Sequence, residues 1–199
     1  MTAAGQPPLR LVLGSTSRYR AELLRRLCAD FEQRAPGTDE STQAGEAPAT
    51  RARRLAVAKA DAAASGLSNA VVIGSDQVAE LDGQLLDKPG TVANACAQLA
   101  ASSGRQLQFH TAICVLDTRS GLRQLHVDLT RVRFRKLSAA EIARYVEREQ
   151  PLDCAGSFKG EGLGISLFEQ IDSHDPTALI GLPLIALARL LRECGMLLP

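Results

Sequence analysis

The chain is short of the residues that build metal cages, disulfide frameworks and stacking platforms. Only 3 of its 199 residues are histidine, and His110, His126 and His174 are scattered without zinc spacing. The 5 cysteines, at 28, 96, 114, 154 and 194, are odd in number, widely separated and include no Cys-x-x-Cys. That excludes a disulfide framework or structural zinc and fits a reducing cytoplasm, with all five read as small buried apolar side chains. No apolar run approaches the length of a membrane span. Residues 1–8 have neither the basic start nor the apolar stretch of a signal peptide and read as a flexible tail before a single domain over 9–199. An excess of one charge is missing too. The 23 basic and 22 acidic side chains leave +1, so no bulk field draws the chain to nucleic acid or a membrane. Aromatic residues make up 4%, and none interleaves with Arg131, Arg133 and Arg135, so that strand reads as a solvated face rather than an RNA platform. There is no internal repeat, and no G-x-x-x-x-G-K-[ST] phosphate loop. The glycine-rich run from Gly156 to Gly162 does not sit between a first strand and its helix, which excludes a Rossmann fingerprint.

What is present is a chain with 45% apolar and 23% charged residues, the balance of a globular domain. Apolar spacing predicts a strand over 11–14 and a helix over about 17–29. A loop over 34–49 precedes an alanine-rich helix over 51–64, with Thr50 as its cap. A buried strand over 70–74 is followed by a hairpin, 78–81 and 84–86, around Asp82-Gly83. Thr91 caps a helix to about 101. Strands over 107–116 and 122–135 come next, the second with a bulge near Thr130 to reconcile its change of parity. Ser138 and Glu141 form a capping box that opens another helix. A glycine-rich loop over 151–162, a strand over 165–168 and a helix opened by Pro183 and stopped by Gly195 complete the order. Hairpins together with crossover helices imply an α/β fold with a mixed sheet.

The chemistry concentrates at two places. Ser15-Thr16-Ser17-Arg18-Tyr19-Arg20 follows an apolar strand and starts a helix, an arrangement suited to an anion. Gly74-Ser75-Asp76-Gln77 is expected at the end of a second buried strand. A carboxylate at Asp76 can orient water or hold a divalent cation, although an ordinary strand-end turn is the plain structural reading. Asp39-Glu40 offers hard oxygen ligands, or else a solvated acidic loop. Lys59 and Lys88 are weak phosphate contacts singly and stronger together, because phosphate chemistry needs cations on the oxygens and a carboxylate that manages metal or water. Ser15 has no histidine or lysine partner in sequence that would make it a nucleophile.

These pieces occur in one order along nearly the whole chain: Leu13-Gly14-Ser15-Thr16-Ser17-Arg18-Tyr19-Arg20, Asp39-Glu40, Ala58-Lys59-Ala60, Gly74-Ser75-Asp76-Gln77-Val78, Lys88-Pro89, and Ala155-Gly156-Ser157-Phe158 through Glu161-Gly162. The ordered set resembles the Maf family of nucleoside triphosphate pyrophosphatases, and within it the branch acting on 7-methyl-GTP. The chain departs from the usual family pattern at Arg18, at Ala21 and at His110-Thr111-Ala112. The resemblance implies an elongated mixed, twisted sheet flanked by helices, with two lobes and a central cleft of the Maf/ITPase-like kind. It implies hydrolysis between the α- and β-phosphates, with Asp76 as proton acceptor. Glu40 and Asp76 would hold a divalent metal, Mg²⁺ or Mn²⁺. Ser15, Arg20, Lys59 and Lys88 would bind the polyphosphate, and Tyr19, Gln77 and Glu161 would set base choice. A cytoplasmic homodimer with a nucleotide substrate, and with neither membrane nor nucleic acid as partner, is the corresponding expectation. A dTTP/UTP pyrophosphatase of the same family, or a nucleotide-binding regulator of cell division without turnover, are the alternatives.

Overall fold

The computed structural model describes residues 9–199, so the expected tail over 1–8 lies outside the described residues. A mixed sheet holds seven strands: β1 (Arg10–Gly14), β2 (Glu32–Arg34), β3 (Ala70–Leu81), β4 (Gln84–Leu86), β5 (Gln106–Asp117), β6 (Arg123–Phe134) and β7 (Phe168–Asp172). The order is β2-β1-β3-β5-β6-β7, with β4 paired to the far end of β3. β1 runs parallel to β2 and β3, and the other pairings are antiparallel. The helices are α1 (Arg18–Leu24), α2 (Pro48–Ala64), α3 (Val92–Ser102), α4 (Ala139–Glu149) and α5 (Leu184–Glu193).

The near half of the sheet is covered on both faces, which is why its strands read as continuous apolar runs. Leu11, Leu13, Val71, Ile73, Ile113 and Val115 face α1 and α5 through Leu23, Leu24, Leu187 and Leu191. Val12, Val72, Ala112 and Cys114 alternate onto the other face, against Ala52, Ala56, Ala60 and Ala63 of α2. The far half has its own core, where Leu81, Leu107, Phe109, Val132 and Phe134 meet Leu99 of α3, Ile142 and Val146 of α4, and Phe158. β3 and β5 span both clusters, so the two lobes share one sheet.

Two glycines bring α2 unusually close to the sheet. A Cβ on Gly74 would lie 2.1 Å from the Ala56 carbonyl oxygen, and one on Gly14 would lie 2.8 Å from Ala63 Cβ. Paired in register across β1 and β3, these glycines form a flat seat on which only an alanine-faced helix fits. That contact places Lys59, which follows Ala56 by less than one turn, over the strand that carries Asp76.

Several sequence expectations are corrected. Residues 70–81 are one strand, so Ser75-Asp76-Gln77 lies within β3 rather than at a strand end. β5 pairs with β3 without a break from Val71 to Glu80, and this ladder carries the polar triplet through the sheet. α1 stops at Leu24 and gives way to a turn. α2 begins at Pro48 with Ala47 as a bare N-cap, so Thr50 caps nothing; the proline's missing N–H has no cost at the first helical position. β6 has no bulge at Thr130, because its register with β5 is continuous and the irregularity lies between Arg133 and Phe134 against β7. Its parity changes because Asp128 and Thr130 occupy the buried face that Val132 and Phe134 continue, while Leu125 is exposed. The last strand starts only at Phe168, after 3₁₀ turns over Leu163–Leu167. β2 lacks any apolar alternation and is held at the sheet edge by its ladder to β1. All five cysteines are free, but only Cys114 and Cys194 are buried.

Candidate active site

β1 ends at Gly14 opposite Gly74, and β4, antiparallel to β3, ends at Leu86 opposite Ala79. Between them, among the described residues, β3 has a ladder partner only on its β5 side, and a cleft of about 1000 Å³ opens there between the lobes. Nine residues singled out from the sequence line it: Ser15, Tyr19 and Arg20 from the first turn, Glu40 from the loop after β2, Lys59 from α2, Asp76 and Gln77 from β3, Lys88 after β4, and Glu161 from the glycine-rich loop. Asp39 does not, because its carboxylate accepts from the Ser41 N–H and hydroxyl outside the cleft.

The floor is an ion cluster. Lys59 Nζ lies 2.6 Å from Asp76 Oδ1 and 2.7 Å from Glu40 Oε1. Lys59 and Asp76 are each 6% exposed, so neither charge can rely on water and each needs the other. Partial burial raises the Glu40 carboxyl, but the hydrogen bond and charge of Lys59, with Lys88 and Arg20 behind them, outweigh it and leave that carboxyl below its usual range. Burial lowers the Arg20 guanidinium, opposed by Asp76 and Glu40.

The first turn is held by its own hydroxyls. Ser17 caps α1 through a bond from the Arg20 N–H, and Ser15 Oγ accepts from the Ser17 N–H at 3.1 Å. Arg20 reaches back to the Gly181 carbonyl at 2.9 Å through Nε and turns Nη1 toward Ser15 Oγ. Gly181 has φ +121, and a Cβ there would sit 3.3 Å from Arg20 Nε, so glycine makes room for the guanidinium.

At the other end of the cleft, Arg18 Nη2 donates to the Tyr19 hydroxyl at 2.8 Å with its guanidinium carbon 4.8 Å from the ring centroid. The glycine-rich loop is nailed down by Phe158, which packs edge-on to Phe109, Phe134 and Phe168. Its backbone is tied to α4 by the Tyr145 hydroxyl, which accepts from the Lys159 N–H, and by Glu149, which accepts from the Leu163 N–H. Thus anchored, the loop presents Asp153, Cys154 and Glu161 to the cleft. Burial pushes the Cys154 thiol up to about 12, with Asp153 adding to it, so this cysteine stays protonated.

Four residues at the site escaped the sequence reading, three in the cleft wall and one buried behind it. Arg51 and Thr38 line the cleft, and Arg51 Nε and Thr38 Oγ1 are buried without a hydrogen-bond partner. The signal for Arg51 was its i, i+8 spacing to Lys59 through Leu55, which puts all three on one face of α2. Asp153 lines the same cleft as Tyr19. Thr111, wholly buried on β5, bonds to Gln77.

Among the described residues no three or more histidine, cysteine or carboxylate side chains gather as a metal cage. The donor set is instead two carboxylates already sharing one cation, the Lys59 ammonium. Two hard oxygen donors beside a phosphate-sized, cation-lined cleft fit a divalent ion that takes its remaining ligands from phosphate and water. No helix among the described residues is long and apolar enough to cross a membrane.

Comparison with known proteins places the chain in a family. A family model described as "Maf-like protein" matches residues 10–194. A protein of Xanthomonas oryzae pv. oryzae named 7-methyl-GTP pyrophosphatase is 60% identical over 191 residues, 96% of this chain and 99% of that protein. Proteins of the same name from Burkholderia thailandensis and Albidiferax ferrireducens are 54% and 52% identical, each over 94% of this chain and over 88% and 94% of their own lengths. Among solved structures, the Staphylococcus aureus Ham1 protein superposes with a TM-score of 0.50 at 17% identity, over 94% of this chain and 100% of that one, a likeness of fold. The extent of the family match and the identity to these relatives show that the chain belongs to the Maf-like protein family.

Proposed function

We propose that this chain hydrolyses 7-methyl-GTP to 7-methyl-GMP and pyrophosphate. The observation that carries the reading is the single cleft joining a lysine-held carboxylate, a set of cationic side chains and an aromatic–acidic end. Arg20, Lys59 and Lys88 supply positive charge for the triphosphate, and Ser15 Oγ adds a small hydroxyl beside Arg20. Asp76 accepts the proton of the attacking water. The water oxygen bonds to the α-phosphorus, the bond from that phosphorus to the α–β bridging oxygen breaks, and the oxygen leaves with pyrophosphate. Glu40 and Asp76 would hold a divalent cation, Mg²⁺ or Mn²⁺, which when bound supplies charge neutralisation on the phosphate oxygens.

The other end of the cleft suits the base. A guanine methylated at N7 carries positive charge on its ring, and Tyr19 offers a face for it. Glu161 and Asp153 bring negative charge to the same end, and a carboxylate at Glu161 can accept from the guanine N1–H and N2–H groups. A pyrimidine base has one Watson–Crick N–H between two carbonyls and matches a carboxylate poorly. The decisive experiment is pyrophosphate release from 7-methyl-GTP, GTP, dTTP and UTP with Mg²⁺ and Mn²⁺. The expected order places 7-methyl-GTP first, and a preference for the pyrimidine nucleotides overturns the substrate assignment.

A further inference from the structure

Gln77 is committed to the protein on one side. Its Nε2 donates to Thr111 Oγ1 at 2.9 Å, to the Ala178 carbonyl at 3.0 Å and to the Leu179 carbonyl at 3.0 Å. Thr111 is fully buried, and its own hydroxyl donates to the Ala178 carbonyl at 3.0 Å, so a lone pair is left for Gln77. Reversing the amide would set Oε1 against two carbonyl oxygens, an arrangement with no hydrogen to share. Both Nε2 hydrogens are therefore spent on three acceptors, and Oε1 alone is available to the cleft that Gln77 lines.

The acceptors do not give way easily. They belong to a turn over Ala178–Ile180 that Asp175 braces, accepting from Thr177 N at 2.9 Å and from Ile185 N at 2.6 Å while itself 3% exposed. The next carbonyl of the turn, Gly181, also receives Ser75 Oγ at 2.9 Å and Arg20 Nε at 2.9 Å. The same turn borders the base end of the cleft, because a Cβ on Gly160, the neighbour of Glu161, would lie 3.1 Å from Leu179 Cδ2.

We propose that Thr111 is a positioning residue for base selection, acting with the Ala178 and Leu179 carbonyls to lock Gln77 so that the nucleotide meets a hydrogen-bond acceptor and no donor there. The inference rests on the nucleotide reading above. It makes the site demand N–H donors at the N1 and C2 positions of the base edge: guanine supplies N1–H and N2–H to Gln77 Oε1 and Glu161, whereas adenine, whose amino group is at C6, offers an acceptor at N1 and no N–H at C2. A site that spends a buried polar contact on an N–H rejects the analogue lacking it far more strongly than an apolar pocket rejects a missing methyl.

Two measurements test this. In the free enzyme the Gln77 side-chain NH₂ resonances, identified by their loss in Gln77→Met, should exchange with solvent at least about tenfold more slowly than those of exposed Gln43. Exchange at the Gln43 rate overturns the lock. Next, kcat/KM is compared for 7-methyl-GTP and 7-methyl-ITP, which lacks the 2-amino group. The unmodified enzyme should favour the guanine by roughly tenfold, the size of one hydrogen bond to a polar partner. Thr111→Val should move that ratio toward unity, and Thr111→Ser should restore it. An equal loss on both nucleotides in Thr111→Val reduces Thr111 to a packing residue and overturns the proposal. If the unmodified enzyme cleaves neither nucleotide, the proposed substrate falls, while slow Gln77 exchange in the same protein still upholds the locked amide.

Discussion

Lys59 Nζ sits 2.6 Å from Asp76 Oδ1 in the floor of the cleft, with both side chains nearly out of contact with water. The same ammonium holds Glu40, which is more than half exposed, at 2.7 Å. One lysine thus bridges the two carboxylates, which would otherwise repel each other, and offsets half of their charge. Lys59→Met leaves Asp76 buried without a counter-charge, and removing one partner of such a pair costs about 3 kcal/mol. The expected result is a lower melting temperature and near-complete loss of pyrophosphate release. Added Mn²⁺ should raise the melting temperature of Lys59→Met more than that of the unmodified protein, because a divalent cation can satisfy both carboxylates. Equal Mn²⁺ shifts in calorimetry would show that the ammonium and the cation do not share a seat.

Asp76→Asn keeps the size of the side chain and one oxygen for Lys59 but removes the basic group. Turnover should drop by about 10² to 10⁴, the usual contribution of a positioned general base. Circular dichroism should be unchanged. Pyrophosphate release close to normal from this variant would assign the proton to another group.

Gly74→Ala tests the seat under α2. The new methyl meets the Ala56 carbonyl at 2.1 Å, and neither backbone can yield without moving α2 and Lys59 with it. Overpacking of this kind should cost about 3 kcal/mol or more. Gly45→Ala, where nothing lies within 4 Å and only a φ of +72 opposes the change, should cost about 1 kcal/mol. Urea denaturation of the two variants gives the comparison, and similar midpoints would contradict the contact.

Arg51 brings a guanidinium to the cleft with Nε buried and unpaired, while Nη2 donates to the Glu40 carbonyl at 3.2 Å. A triphosphate oxygen is the natural partner for that donor. Arg51→Met should raise KM by about tenfold, as expected for one hydrogen bond to a charged group, with little change in kcat. A fall in kcat at constant KM would place Arg51 in the transition state instead.

The capping box of α4 makes an acid-sensitive contribution to stability. Backbone and hydroxyl bonds from Ser138, then Arg135, hold the Glu141 carboxyl at about 2, against an ordinary value of 4.5. A carboxyl depressed in the folded state adds stability that is complete above its unfolded value and is lost as pH falls from about 4.5 toward about 2. Glu141→Gln should flatten that part of the urea-midpoint profile. An unchanged acid slope would show that the contact contributes nothing.

Many of the residues that line the cleft were legible in the sequence, because they are the side chains a phosphate site would need. Ser15, Arg20, Lys59, Asp76 and Lys88 stand out against an otherwise ordinary composition, and their order along the chain is specific. The caps at Thr91 and at Ser138 with Glu141 were equally readable, since capping is a contact among residues three apart. Arg51 was marked only by its spacing to Lys59 on one face of α2, which does not say what that face meets, and a threonine on a strand such as Thr111 carries no local mark at all.

Local order in the sequence decided which groups this protein has for its chemistry, the helices that begin at Thr91 and Ser138, and the α/β character that follows from hairpins mixed with crossover helices. Tertiary structure alone decided that Asp76 lies inside a strand, that Lys59 meets it through the glycine seat under α2, and that Gln77 turns its NH₂ inward. The reason is physical. Caps and periodic faces depend on neighbours within a turn or two, whereas the bonds at Gln77 join residues 34 and about 100 positions away. Those exist only once β3, β5 and the 178–181 turn have packed together.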